Sequence, residues 1–177
     1  METAIVAIIC VALIVLGGMT MSQGFLSSVD TATLSLDELG DRDAEIMRTE
    51  ISALTATWSS LTNTLEVSLS NTGQVKLASF SKWDVIVQYY TNSSYSVQYL
   101  TYTNGTLGSN EWKKEGIYQD SASKEAEVFD PDILNPAEEI IIQAKLDPPV
   151  GYDSTNLVVV CTPNGVPATK SFAGPSS

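Results

Sequence analysis

A long uncharged stretch near the N-terminus constrains this chain more than any other feature. No charged residue occurs between Thr3 and Val29, and the segment from Ala4 to Leu16 is almost wholly aliphatic. As a helix with a rise of about 1.5 Å per residue, this stretch would be roughly 40 Å long, whereas the hydrocarbon core of a bilayer is about 30 Å thick. The sequence therefore predicts a helix that can cross a membrane.

The flanks of this stretch fit neither a cleaved signal peptide nor an ordinary anchor. A signal peptide carries basic residues before its apolar run, whereas the charge before this run is Glu2. A single-pass anchor tends to carry Lys or Arg at its cytoplasmic end, yet the first basic residue is Arg42. A helix without Lys or Arg at its cytoplasmic end is not held at that face of the membrane. It is therefore suited to leaving the lipid and packing against copies of itself. A plain single-pass anchor is the alternative.

Small residues in this helix would allow close approach between copies, as they do in lipid-embedded helix pairs. Gly17-Gly18 ends the most apolar part of the stretch. If the helices pack together as a filament core, the interface residues predicted from the sequence are Ile5, Ile8, Ile9, Ala12, Leu13, Leu16, Gly17 and Gly18.

The chain becomes polar after the apolar stretch and then changes its hydrophobic period. Asp37-Glu38-Leu39-Gly40-Asp41 is typical of a helix end or a turn. From Ile46 onward, apolar residues recur two apart, as in half-buried strands. The sequence thus predicts a hydrophobic helix over residues 1–30, an acidic linker over 31–45 and a β-rich head over 46–177, and it leaves open a continuation of the helix past Val29 into the linker.

Eight or nine short runs with this period predict the strands of the head. The runs are Met47–Ala53, Leu65–Leu69, Val75–Leu77, Trp83–Tyr89, Tyr95–Tyr102, Ala126–Val128, Ile140–Leu146, Leu157–Cys161 and Val166–Phe172. Turn residues separate several of them, notably Ser70–Gly73, Asn104-Gly105 and Asn164-Gly165. No helical patterns lie between the runs, so the predicted fold class is α+β: the N-terminal helix followed by an all-β, antiparallel, Ig-like sandwich.

The charge of the chain excludes some partners. It carries 21 acidic and 9 basic residues, a formal net charge of −12. Nucleic acids and anionic lipid headgroups require clustered Lys and Arg. The pair Lys113-Lys114 is flanked by Glu111 and Glu115, and we interpret it as a solvated turn. We therefore expect no nucleic-acid partner.

The residue inventory argues against catalysis. The chain contains no histidine and two cysteines, Cys10 and Cys161, which we interpret as small buried hydrophobes. It has no Gly-rich phosphate loop and no nucleophile elbow. The sequence predicts no enzyme activity, no catalytic residue and no cofactor.

Two acidic groups are candidate calcium sites, since calcium prefers oxygen ligands. The first, between Asp37 and Glu45, does not match a calcium-binding loop and is better interpreted as a solvated linker. The second consists of Glu127, Asp130 and Asp132 and is a weak candidate by the same reasoning. The sequence therefore predicts no metal site.

Two further features concern the surface of the head. Asn92-Ser93-Ser94 and Asn104-Gly105-Thr106 match the acceptor triplet for N-glycosylation, so Asn92 and Asn104 are possible glycan sites. Aromatic residues cluster in the middle of the chain, and in a sandwich about half of them would face the core while the rest contact other subunits. These residues are Tyr89, Tyr90, Tyr95, Tyr99, Tyr102, Trp112 and Tyr118.

The order of these elements resembles the archaellin and type IV pilin-like superfamily. The residues that carry the likeness are Glu2–Gly18, Val67–Gly73 and Leu157–Gly165. The resemblance implies helices bundled into a filament core, sandwiches packed around it, and assembly from the cytoplasmic membrane by an ATPase with a membrane platform protein. One departure is that pilins usually carry their helix glutamate at the fifth mature position, whereas here it is Glu2.

We therefore expect a structural subunit of a helical cell-surface filament that serves motility or adhesion, with the chain itself as its main partner. The alternative is a membrane-anchored accessory protein that braces such a machine against the cell envelope. The third interpretation, a surface enzyme or a solute-binding lipoprotein, is disfavoured because Cys10 lies too deep in the apolar run for lipidation.

Overall fold

The computed structural model describes residues 2–127 and 130–177, with Glu2 described by its backbone alone. Met1, Val128 and Phe129 lie outside the described residues, and with Val128 so does the end of the predicted run Ala126–Val128. The chain divides into two compact units, residues 1–44 and residues 45–177. The first unit is helical and the second, the head, is built almost entirely of strands.

The helix α1 spans Glu2–Arg48 without interruption. The prediction of a turn at Asp37–Asp41 is therefore wrong, and residues 31–45 are helical rather than an irregular linker. Thr31, Thr33 and Ser35 donate their hydroxyl hydrogens to carbonyl oxygens four residues earlier, at 2.8–3.0 Å, so these polar side chains are satisfied within the helix. An isolated helical glycine such as Gly40 costs only about 1 kcal/mol.

In the described part of the chain, α1 is followed by nine strands and a 3₁₀ turn at Phe80–Lys82. The strands are β1 (Ile51–Ser59), β2 (Thr64–Asn71), β3 (Asp84–Tyr90), β4 (Tyr95–Tyr102), β5 (Glu111–Asp120), β6 (Glu125–Ala126), β7 (Glu139–Lys145), β8 (Thr155–Cys161) and β9 (Pro167–Ala173). They follow the order β1-β2-β7-β5-β4-β3-β8-β9, with β6 paired to β5. All pairings are antiparallel except a short parallel one between β4 and β5.

The predicted α+β class with a sandwich head is confirmed. The layers β1-β2-β7-β5 and β4-β3-β8-β9 enclose one core, to which both contribute alternate residues. Trp112 of β5 and Tyr89 of β3 are its largest fully buried side chains. The expected division of the aromatic residues is also seen, because Tyr90, Tyr95 and Tyr99 are exposed.

Three strand predictions are wrong. Met47 belongs to the last turn of α1, and Val75–Leu77 forms only a single bridge, from Leu77 to Leu134. Strand β5 was not predicted, and Lys113-Lys114, interpreted as a solvated turn, lies within it. Strand β5 is mostly polar and has a bulge between Lys114 and Gly116 that disrupts its period of two.

The cysteines also differ from the prediction. Cys161 is half-buried at the end of β8, and burial raises the pKa of its thiol above the ordinary value. Cys10 is exposed on α1.

Candidate membrane anchor and its junction with the head

The N-terminal part of α1 exposes large aliphatic side chains along its length. Ile8 is 70% exposed, and Leu13 and Leu16 are exposed to a similar extent. Fully burying one such side chain is worth about 1.5–3 kcal/mol. In water this surface would be strongly unfavourable, whereas in lipid or against other helices it is stable. By length and composition the helix can cross a membrane.

The eight residues predicted as a filament-core interface do not share one face of α1. At 100° per residue, Ile5, Ile9, Ala12 and Leu16 lie along one side, whereas Gly18 lies almost opposite. A Cβ atom added at Gly17 or Gly18 would meet nothing within 4 Å. All eight residues are exposed in the single chain, so their role as an interface stays a prediction.

The helix ends within the head unit, where Thr49 caps it. The Thr49 backbone N–H donates to the carbonyl oxygens of Glu45 and Ile46 at 3.0 and 3.1 Å, and its hydroxyl donates to Glu45 O at 2.8 Å. The Asn164 side-chain Nδ2 donates to Thr49 Oγ1 at 2.7 Å from the β8–β9 turn. Thr49 is buried, so this cap is shielded from competing water.

The loop after β2 holds the segment that leaves the helix. Backbone N–H groups of Thr72 and Gly73 donate to Glu50 O at 3.1 and 3.0 Å, and the N–H of Gln74 donates to Arg48 O at 2.8 Å. A Cβ atom at Gly73 would lie 2.5 Å from Glu50 N and 2.6 Å from Arg48 O. This close approach of two backbones requires glycine.

Asn71 supports the same loop from inside the head. Its side chain is fully buried, and its Nδ2 donates to the carbonyl oxygens of Val75 and Leu134 at 2.8 and 3.0 Å. Its Oδ1 accepts the N–H of Gly73 at 3.1 Å. The residues Ser70–Gly73 predict this turn but not its role, because the contact with residues 48–50 is visible only in the folded chain.

Lys114 is not part of a basic patch. Its side chain is 19% exposed, forms an ion pair with Asp132, and lies over the Phe80 ring at 5.1 Å from the centroid. A pocket of about 290 Å³ opens beside it. Because the charge of Lys114 is neutralised within the head, this pocket offers little attraction to an anion.

The carboxylates of the second candidate calcium group interact with other side chains of the head. Asp130 forms an ion pair with Lys76, with 2.5 Å between Oδ2 and Nζ, and Asp132 forms an ion pair with Lys114. The pKa of Asp132 is lowered by Lys114, whereas burial and the nearby Glu138 raise the pKa of Glu127. Within residues 2–127 and 130–177, no group of three or more acidic, His or Cys side chains could hold a metal ion.

The two candidate glycosylation triplets have different surroundings. Asn104, Gly105 and Thr106 are all exposed in the loop between β4 and β5. Asn92 is exposed as well, but its Oδ1 accepts the backbone N–H of Tyr152 at 3.1 Å. The Asn104 amide is therefore open to a modifying enzyme, whereas Asn92 helps to hold the β3–β4 turn.

Comparison with known sequences identifies a distant relative. No family model matches the chain. An uncharacterized protein of Archaeoglobus fulgidus is 24% identical over 172 residues, which cover 97% of this chain and 95% of that protein.

Three solved structures resemble the chain. A chain of the archaellum periplasmic stator protein complex FlaF and FlaG from Sulfolobus acidocaldarius has a TM-score of 0.52 at 21% identity, covering 70% of this chain and 89% of that one. The archaellum periplasmic stator protein FlaG from the same organism has a TM-score of 0.50 at 19% identity, with 70% and 99% covered. The archaeal flagellin FlaB1 from Methanocaldococcus jannaschii has a TM-score of 0.52 at 11% identity, with 73% and 91% covered. At these identities the likeness shows a shared fold.

Proposed function

We propose that this chain is a non-enzymatic, membrane-anchored accessory protein of an archaellum-type machine, resembling its stator components. The helix would stay in the cytoplasmic membrane, and the sandwich head would stand outside it and brace the machine against the cell envelope. The observation that carries this proposal is the combination of a membrane-length apolar helix with a fold that covers 89% and 99% of the two stator chains.

The junction supports a load-bearing role for the head. Residues 48–50 are hydrogen-bonded to the loop after β2, and Thr49 is bonded to the β8–β9 turn. A pull on the end of the helix therefore acts on several backbone hydrogen bonds of the head at once. Such a distribution of load over several hydrogen bonds is useful for a brace. It is unnecessary for a head that is joined to its anchor by a flexible linker.

A filament subunit is the second candidate, favoured by the similar fold of the archaeal flagellin. In that case the helices would leave the lipid and bundle, the chain would be its own main partner, and an assembly ATPase and a platform protein would be required. The two candidates place the same apolar helix in different surroundings.

Cell fractionation separates these candidates. Cells that produce the full chain are sheared, and the sheared material and the membranes are examined by negative-stain electron microscopy and mass spectrometry. We expect the chain in the membrane fraction, released by detergent as small assemblies. Recovery of most of the chain in sheared filaments would overturn the accessory role and establish the subunit role.

We also propose that Asn104 rather than Asn92 carries any N-linked glycan. Glycopeptide mass spectrometry of the chain from its native membranes should detect modification at Asn104, and Asn104→Gln should remove it. Because the Asn92 side chain is engaged by Tyr152, Asn92→Gln should leave the glycan unchanged. A glycan found on Asn92 alone would contradict this assignment.

A further inference from the structure

The layer β4-β3-β8-β9 carries an apolar surface on its outward side as well as on its core side. We define the outer apolar face by six outward side chains, Ile86, Tyr95, Val97, Tyr99, Leu157 and Val159. The sheet register places Tyr99, Ile86 and Val159 side by side across three strands. An antiparallel sheet with one face in water normally alternates apolar and polar residues, and here the alternation fails.

The opposite layer shows what an ordinary solvated face looks like in this protein. There the corresponding row across β2, β7 and β5 consists of Glu66, Gln143 and Lys113. Gln143 Nε2 donates to Glu66 Oε2 at 3.2 Å. The two layers therefore differ at these rows, since one row is polar and the other is apolar.

The aromatic residues of the outer apolar face are held in place. The Tyr99 hydroxyl donates to Asp84 Oδ1 at 2.7 Å, and the Tyr95 hydroxyl donates to Gln88 Oε1 at 3.0 Å. The Tyr95 ring also packs against Tyr90, with 5.0 Å between the centroids. Side chains that are already ordered lose little conformational entropy when a partner binds.

The exposed area is large enough for a weak but specific contact. Tyr95, Val97 and Tyr99 are 52%, 56% and 61% exposed. Because a buried tyrosine contributes about 150–250 Å², these residues and their neighbours offer on the order of 400 Å² on each molecule. Two such faces together approach the lower limit of about 1,000 Å² for a biological interface.

The distribution of charge on the chain favours a second copy of the chain as the partner of this face. The chain has a net charge of −12, so two copies repel each other unless they meet through a neutral surface. The outward positions of β3, β4, β8 and β9 carry a single charged residue, Asp84, whose carboxylate is bonded by Tyr99. A largely apolar sheet face with its one charge bonded internally is complementary to itself, and sheets pack face to face at about 10 Å.

We propose that the outer apolar face is a self-association surface, through which the heads of two copies of this chain pack sheet against sheet. The contact would be isologous, with the same residues contributed by both copies. It rests on the proposed function in one respect, because anchoring in one membrane raises the effective concentration of the heads enough for a small interface.

Site-specific cross-linking in membranes tests this. In the full chain, Cys10→Ser and Cys161→Ser remove the native thiols, and a single cysteine is placed by Val97→Cys on the face or by Leu61→Cys as control. Leu61 is an exposed apolar residue in the β1–β2 turn. With a short bis-maleimide we expect homodimers from Val97→Cys and at least tenfold fewer from Leu61→Cys.

A charged substitution within the face supplies the second arm. Adding Ile86→Lys to the Val97→Cys chain should reduce the homodimer at least tenfold while the circular dichroism spectrum stays unchanged. Equal cross-linking of the two cysteine variants, or products with other proteins only, would overturn the proposal. Membrane-retained chain without cross-links overturns this proposal alone, whereas chain recovered in the soluble fraction overturns the membrane anchor.

Discussion

Two parts of this molecule leave large apolar side chains uncovered, and they do so in different ways. In α1 the apolar residues are continuous in sequence and surround the helix on every side. In the outer apolar face they come from three strands, with Ile86 and Val159 73 positions apart in the chain, and each alternates with a core residue. A helix that is apolar all round needs lipid or a bundle, whereas an apolar sheet face needs only one flat partner.

This difference shows that an exposed apolar surface can be encoded either in local composition or in the register of strands. The surface of α1 follows from composition alone. The outer apolar face depends on strand register, because a shift of one residue would exchange the outward and inward side chains of a strand. The substitutions below test each region against a matched position.

The largest effect is expected in the membrane part of α1. Leu13→Asp with Leu16→Asp should release the full chain from the membrane, because each acidic residue near the centre of a spanning helix costs about 2.5–3.5 kcal/mol. Leu36→Asp with Leu39→Asp, in the polar part of the same helix, should leave it bound. The measurement is the fraction retained by membranes after an alkaline wash. Equal retention of both variants would contradict the spanning role of residues 3–29.

The next effect compares the two faces of β4. Leu100 is 1% exposed and Val97 is 56% exposed. Leu100→Ala should destabilise the head by about 2–5 kcal/mol, since it leaves a cavity in the core. Val97→Ala should change the free energy of unfolding by less than about 0.5 kcal/mol, as is usual at a surface. Denaturant unfolding of the full chain in detergent, followed by tryptophan fluorescence, measures both. Similar losses for the two variants would show that Val97 is part of the core.

A smaller effect is expected at the junction between α1 and β1, where the loop after β2 contacts residues 48–50. Gly73→Ala should destabilise the head by about 1–3 kcal/mol, because the new methyl group meets backbone atoms of residues 48 and 50. Gly105→Ala is the matched control, since its nearest contact would be Thr103 Oγ1 at 3.7 Å. Thermal unfolding compares the two. If the two alanine variants have the same melting temperature, the close packing of the loop after β2 against residues 48–50 does not contribute to stability.

The smallest effect concerns the ion pair of Lys114. The neighbouring ammonium lowers the pKa of Asp132 below its ordinary value of 3.8. A carboxyl group with a depressed folded-state pKa stabilises the fold above its unfolded pKa, and this contribution disappears as the pH falls through the folded pKa. Asp132→Asn should therefore lower the melting temperature slightly at about pH 7 and leave it unchanged at about pH 2. A difference that persists in acid would point to packing instead.

The sequence predicted most elements of the head because their period of two survives in a single chain. Strands β3, β7 and β8 lie within a residue or two of the predicted runs. Strand β5 was missed because polar residues occupy its outward positions and a bulge interrupts its period. The end of α1 was placed too early because Thr31, Thr33 and Ser35 were interpreted as linker residues, although their hydroxyl groups bond within the helix.

By itself, the amino-acid sequence determined that this chain has a membrane-length apolar helix, an acidic character and a β-rich head, since all three follow from local composition and period. Tertiary structure alone decided that Gly73 and Asn164 meet residues 48–50, that Lys114 pairs with Asp132, and that Tyr99, Ile86 and Val159 form one surface. These groups lie far apart in the chain, and only the pairing and register of the strands bring them together.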